Sequence, residues 1–388
     1  MSEELAEQLE QFANEHGEPH WLVKRRLEAL TAVKSAPEFS ISHFDMAASD
    51  NLQKQTPQKI KLTKEVLSAA NIDEDEIGLS QIGQSSLENT LDEDDEEGGV
   101  ILTDIFTAFR QHPRLIENYF MNKVLPEGSN KLTELHTALL NNGMFFYLPK
   151  NYQLSDTVHL NIIQDSFHNQ DLITHIFIYA DQGSSANIVV DARTVGDETN
   201  HADVIVEILA RPKSQINYTE ATHFGKNTKV TINRAAQISR DAQVNWKVAQ
   251  FNQENTAAHT ESNLAHKDAK TDIKIYTLQQ GDKKVGSESA IFTEYFETEN
   301  QNYQQGDAEK AKNIAITTTV SPSDKRDFNY ISNNSDVQYE IVSKCSTTDG
   351  VTLNPKQYKN EDMKQKFIKG IETLNNSDLT KIVKDNLI

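Results

Sequence analysis

Leu135-His136-Thr137-Ala138-Leu139-Leu140-Asn141-Asn142-Gly143-Met144-Phe145-Phe146-Tyr147-Leu148-Pro149-Lys150 reads as a short helix that passes through a turn into an aromatic strand. Leu135, Leu139 and Leu140 fall at helical spacing. Gly143 is expected to supply a left-handed helix stop, and Met144 to Leu148 form a β-prone run closed by Pro149. The stretch marks the passage from a helical lead-in to a β-rich remainder.

Beyond it, from about Ile173 to Leu278, the chain is a succession of short alternating segments rich in Val, Ile, Thr and aromatic residues. Phrases starting at Ala186, Ser214, Ala242 and Ala269 recur at a loose period of about 28 residues, and a second set at Ala202 and Thr228 falls between them. Two strand registers per repeat suit a β-solenoid, whose coils bury their inward residues only when stacked. A β-sandwich gives similar spacing, so the period alone leaves both open.

Toward the N-terminus, Leu5, Leu9 and Phe12 make one helical face; Gly17-Glu18-Pro19 break it, and Trp21, Leu22, Leu27 and Leu30 make a second. Residues 51–99 end in Asp92-Glu93-Asp94-Asp95-Glu96-Glu97-Gly98-Gly99, and this composition predicts a flexible acidic segment. Residues 100–150 form a helix–strand lead-in, 151–354 the β-rich core, and 355–388 a helical end. In that end Met363, Phe367, Ile368, Ile371 and Leu374 recur at helical intervals, and Ser377-Asp378 are expected to cap a last helix.

The chain has 388 residues and a formal net charge of -20, an excess of anions that argues against phosphate-backbone binding and hence against nucleic acid. No apolar run approaches the ~20 residues that cross a bilayer, and Met1-Ser2-Glu3-Glu4 lacks a basic, apolar leader, so a cytoplasmic protein without membrane contact is expected. One cysteine, Cys345, rules out a disulfide within the chain and a cluster held by four of its own thiolates.

The phrase around Leu135 to Lys150 resembles the start of the β-helix in the SufB/SufD family of iron–sulfur cluster assembly proteins, on the SufD side. Gly17, Pro19, Trp21, Leu22 and Arg26 match a second family phrase, and Val100 to Tyr119 resembles the segment that joins them. The resemblance implies a mainly β fold, a right-handed parallel β-helix flanked by N-terminal and C-terminal helices. It also implies a non-catalytic scaffold that pairs with a SufB-like subunit and docks a SufC-like ATPase, with a homodimer as its state alone. Tyr358, Met363, Phe367, Ile368 and Ile371 are then the partner-binding candidates, in a role that competes with simply capping the solenoid. Lys344-Cys345-Ser346 resembles a family phrase beside the shared cluster site, so Cys345 is the candidate cluster ligand; the histidine that follows in the family is replaced by Thr347. No cluster is expected to be held stably by this chain alone.

Signatures of catalysis are missing: there is no phosphate-binding Gly-x-x-x-x-Gly-Lys loop, no His-Glu-x-x-His and no Gly-x-Ser-x-Gly. His201, His223, His259 and His266 form no pair at metal-ligand spacing. A thiolate at Cys345 would be a soft ligand or a nucleophile, with Lys344 to lower its pKa, against the bland alternative of a small buried hydrophobe. The rival function is a polysaccharide-active β-helix with Asp181, Asp191 and Asp203 on one groove.

Overall fold

The structure is a computed structural model that describes residues 3–41, 61–73, 76–126, 128–293, 295, 298–308, 314–320, 329–333, 338–343, 351–355 and 363–387. From strand Asn142–Leu148 onward, successive strands alternate between two sheets, one of ten strands and one of nine, and each pairs in parallel with the strand two places on in sequence; the edges of the two sheets add the antiparallel pairs of Gly78–Ile82 with Ser85–Ser86 and of Ile101–Asp104 with Asn142–Leu148. That connectivity defines a parallel β-helix and excludes a sandwich of antiparallel hairpins. In the ten-stranded sheet Ser185, Gln215, Gln243, Lys270 and Glu299 stand in one column. In the nine-stranded sheet Leu172, Ala202 and Val230 do so, continuing to Thr256 and Val285.

Strand alternation sorts the side chains. Val204, Val206 and Ile208 of strand Asn200–Ala210 point into the coil with Ile188, Val190 and Ile232. Also inside is an ion pair: Arg234 donates from Nε and Nη2 to Glu220 at 2.7 Å each, and both residues are buried. The Tyr218 hydroxyl donates to the same carboxylate at 2.8 Å, and Nη1 of Arg234 reaches Gln250 and Thr260. Such satisfaction is what a charge pair removed from water requires.

Helices Glu3–Glu15, His20–Ala32 and Lys131–Leu139 cover the outer face of the nine-stranded sheet. Asn130 opens the last of these with a capping box shared with Thr133. The helix ends differently from the sequence expectation. Leu140 leaves it in an extended conformation, and Gly143 lies inside strand Asn142–Leu148 rather than in a left-handed turn. Its lack of a side chain serves close packing, because a Cβ there would sit 2.6 Å from the His175 carbonyl oxygen and 2.8 Å from Ile105 Cγ2.

The acidic segment is also corrected. Within 51–99, residues 61–73 and 76–99 are described and built into the fold. Thr63 caps helix Lys64–Ala70, and strand Gly78–Ile82 pairs in parallel with Gln153–Ser166. Leu79 joins the interior, while Val66, Ala70 and Ile82 pack on Ile163 and Val195. The acidic run itself is a short exposed helix, Glu93–Glu97, tied down where the Tyr152 hydroxyl donates to Asp95 at 2.6 Å. Average composition hid the apolar pattern Ile77, Leu79, Ile82, in which Gly78 is required because a Cβ would meet the His159 carbonyl oxygen at 1.8 Å.

Candidate functional site

The C-terminal helices Met363–Glu372 and Ser377–Leu387 lie along the outer face of the ten-stranded sheet, not across the end of the coil. Phe367, Ile368, Ile371 and Leu374 form one helical stripe, buried on Ala249, Phe251, Tyr276 and Leu278. Gly370 lets the helix come close, since a Cβ would lie 2.6 Å from the Tyr276 ring. The Tyr276 hydroxyl meets Thr373 Oγ1 at 3.0 Å, and Lys366 pairs with Asp307. The cap of the last helix is Asn376, whose side chain accepts from Leu379 N at 2.8 Å and donates to Thr219, so Ser377-Asp378 follow the cap instead of forming it.

Between helix Ser377–Leu387 and residues 69–73 with Glu76 a cleft of about 620 Å³ opens over the sheet. His159, Asn161, Asp191, Arg193 and His223 make its floor; Asp73, Glu76, Lys381 and Asp385 stand around it. These floor residues come from outward positions of neighbouring strands, which register brings together. Asp191 accepts from His223 Nε2 at 2.6 Å and from Arg193, whose other nitrogen donates to the Ala70 carbonyl at 2.6 Å. Burial alone would raise the Asp191 pKa, but the hydrogen bond and charge of His223 together with Arg193 outweigh it and hold the carboxyl below its ordinary value. The His223 ring stacks on Phe251 at 5.2 Å, and Phe251 meets Phe367 at 5.8 Å. The cluster thus joins the end of helix Lys64–Ala70, the sheet and the C-terminal helices. The partner of the His223 ring is a carboxylate and not a hydroxyl or thiol, an arrangement for positioning and not for nucleophilic attack.

The residues singled out in the sequence are dispersed. Cys345 and Tyr358 lie outside the described residues, as does the side chain of Met363. Phe367, Ile368 and Ile371 face the sheet, so a partner would meet the other side of their helix, at Gln365, Lys369 and Glu372. Asp181 sits in the turn after strand Leu172–Ala180, Asp191 in the cleft, and Asp203 is buried beneath helix Lys131–Leu139; they share no groove. His201 bonds Thr231 at 2.9 Å, and His266 lies past the end of strand Thr256–Leu264. His259 stands between Glu261 at 3.2 Å and Glu288 at 3.8 Å. Burial would lower its pKa, but hydrogen bonds to the two glutamates raise it to about 9. Among the described residues no group of three or more His, Cys, Asp or Glu is placed to hold a metal ion, and no helix is long and apolar enough to cross a membrane. Arg193 and the His223–Phe251 stack were missed in the sequence. The alternation Asp191-x-Arg193, two charges on one face of an otherwise apolar strand, was the available signal.

A parallel β-helix with helical layers on both sheets defines the class. Two family models match in tandem, "SufBD protein N-terminal region" over residues 80–160 and "SUF system FeS cluster assembly, SufBD core domain" over 162–313. The chain belongs to the SufB/SufD family of iron–sulfur cluster assembly proteins. It is 29% identical over 290 residues to the iron–sulfur cluster assembly protein SufD of Bacillus subtilis, covering 71% of this chain and 66% of that protein. SufBD family proteins of Staphylococcus saprophyticus and Staphylococcus haemolyticus match at 24% and 25%, over 61% and 59% of this chain and 54% and 52% of theirs. The match thus spans half to two thirds of the length of these relatives.

Proposed function

We propose that this protein is a non-catalytic scaffold subunit of a SUF complex, pairing with a SufB-like subunit and docking a SufC-like ATPase on its C-terminal helices. The observation that carries this reading is the pair of family matches in tandem over residues 80–160 and 162–313. The helix pair suits the docking role. Phe367, Ile368 and Ile371 anchor it, Lys384 and Glu372 bridge the two helices at 2.7 Å, and Gln365, Lys369, Glu372 and Lys381 remain for a partner. The cleft cluster ties Ala70, at the end of helix Lys64–Ala70, to the same helices, so a pull on them is felt across the sheet. The cluster under assembly is cargo, carried at an interface shared with the SufB-like subunit, and Cys345 is this chain's one thiolate for it. Closure of the ATPase would then move the paired β-helices as levers. Size measurement of tagged chain co-expressed with both partners tests the proposal: a complex of fixed stoichiometry supports it, and recovery of this chain alone at micromolar concentration refutes it.

A further inference from the structure

Beneath the N-terminal layer runs a line of four buried ionisable side chains that the scaffold role does not use. Asp203 Oδ2 lies 2.8 Å from His136 Nδ1, His136 Nε2 lies 3.2 Å from His175 Nδ1, and His175 Nε2 lies 3.0 Å from Glu207 Oε2. All four side chains are removed from solvent. The ends are fixed. Asp203 accepts from Thr231 at 2.7 Å, and Glu207 accepts from the backbone amides of Met121 at 2.8 Å and Leu125 at 2.9 Å. Glu207 therefore holds residues 116–125 on the nine-stranded sheet, and His136 holds helix Lys131–Leu139. The His175–Glu207 contact is close but off-line, leaving Nε2 without a well-aligned partner and making it the weak link. Phe120 closes the site with its ring 4.6 Å from that of His175.

Each of the three contacts joins two atoms that both carry lone pairs, so each needs one proton. Three protons, one in each contact, satisfy the line whichever of the two facing atoms carries each. Two protons leave lone pair against lone pair; a fourth sets two donors face to face, buried away from bulk solvent. We propose that these four residues form a three-proton latch, which a fourth proton opens, so that acidification releases residues 116–125 and helix Lys131–Leu139 from the β-helix.

The electrostatics agree. Burial pushes Glu207 up to about 7 against the pull of the two amides, and burial pushes His175 well below its ordinary value. Other charged groups on the packed elements are Arg25, which donates to the Phe120 carbonyl, the Glu18–Arg26 pair, Glu134, Lys229, and His201, which is joined to Asp203 through Thr231. Between the ordinary glutamate value of 4.5 and the ordinary histidine value of 6.5, the four residues hold four protons once exposed and three while latched. Layer stability accordingly rises with pH through this window, with a slope of one proton, about tenfold in the opening constant per pH unit.

Amide hydrogen exchange of the full chain from pH 5 to 8, corrected for intrinsic exchange, gives the opening constant for residues 116–139. The wild type should show the one-proton slope below pH 6.5. Glu207→Gln, with its amide nitrogen toward His175, donates there without a titratable proton and gives up the acceptor for the Met121 amide; the latched state then binds only the two imidazole protons and the slope becomes two, about a hundredfold per unit. His201 adds equally to both proteins, so the difference between slopes is the readout. Equal slopes would overturn the latch. If the variant does not fold, His201→Gln removes that histidine's share from the slope and decides alone: a slope of two in that protein means that Glu207 carries no proton and the proposal fails.

Discussion

Replacement of Arg26 by methionine should detach the N-terminal layer while leaving the β-helix folded. Arg26 is 1% exposed and Glu18, which it grips through Nε at 2.8 Å and Nη2 at 2.7 Å, has no exposed side-chain surface. Its remaining donors reach the Ala138 carbonyl at 2.9 Å and the Leu140 carbonyl at 2.8 Å, where helix Lys131–Leu139 ends. Methionine fills most of the volume beside Phe12 and Phe106, so the packing loss is small. What is lost is the partner of a buried carboxylate, about 3–5 kcal/mol, and the donors of two carbonyls, about 1–3 kcal/mol each. These penalties overlap, because Glu18 will take up a proton or water as the layer loosens; we expect about 4 kcal/mol in total. A change of that size multiplies the opening constant roughly a thousandfold. Hydrogen-exchange mass spectrometry should show lost protection in Glu3–Ala32 and Lys131–Leu140 and unchanged protection in strands Gln243–Gln250 and Lys270–Gln279. Adding Glu18→Gln removes the buried charge and should restore about half of the loss. Protection no different from that of Arg114→Met, an exposed control, would refute the reasoning.

Gly143→Ala should cost about 1–3 kcal/mol in urea unfolding, because its methyl meets backbone at His175 and cannot be relieved by a rotamer change; an unaltered midpoint would contradict the packing argument. His259, raised to about 9, stabilises fully below its ordinary 6.5 and loses that contribution as pH climbs to 9. The 17% exposure of its side chain limits the effect to about 1–2 kcal/mol between pH 6.5 and 9, and His259→Gln should remove it from the pH profile of the melting temperature. Lys369→Glu should weaken capture of a SufC-like ATPase about tenfold with the melting temperature unchanged. Phe367→Asp should release the helix pair itself, visible as proteolysis after residue 363; equal behaviour of the two variants would dissolve the distinction between docking face and anchor.

The repeats made the strands legible, and the family resemblance, not their period, pointed to a β-helix over a sandwich. The starting points drawn from those repeats were nonetheless uneven: Ala186 pairs with Ile216, so the phrase in register with Ser214 begins at Ser184. Helices at both ends were readable from apolar stripes, down to Phe367, Ile368 and Ile371. Which way that stripe faces was not, since an apolar face looks the same whether it meets a partner or the chain's own sheet. Residues 76–99 were misjudged because the acidic run at 92–97 outweighed the spaced apolar residues Ile77, Leu79 and Ile82. The cleft and the proton line were invisible for another reason. Asp191, Arg193 and His223 meet His159 only through β-helix register, and His136 meets His175 only through the docking of a helix on a sheet. Cys345 and Tyr358 lie outside the described residues.

The central claim is that this β-helix works as one wall of an assembly. Co-expression of the tagged chain with SufB-like and SufC-like proteins from the same source, followed by mass determination of the purified complex, tests it most directly. The account predicts a single species containing one copy of this chain, one SufB-like subunit and bound ATPase; a lone homodimer that ignores both partners would contradict it.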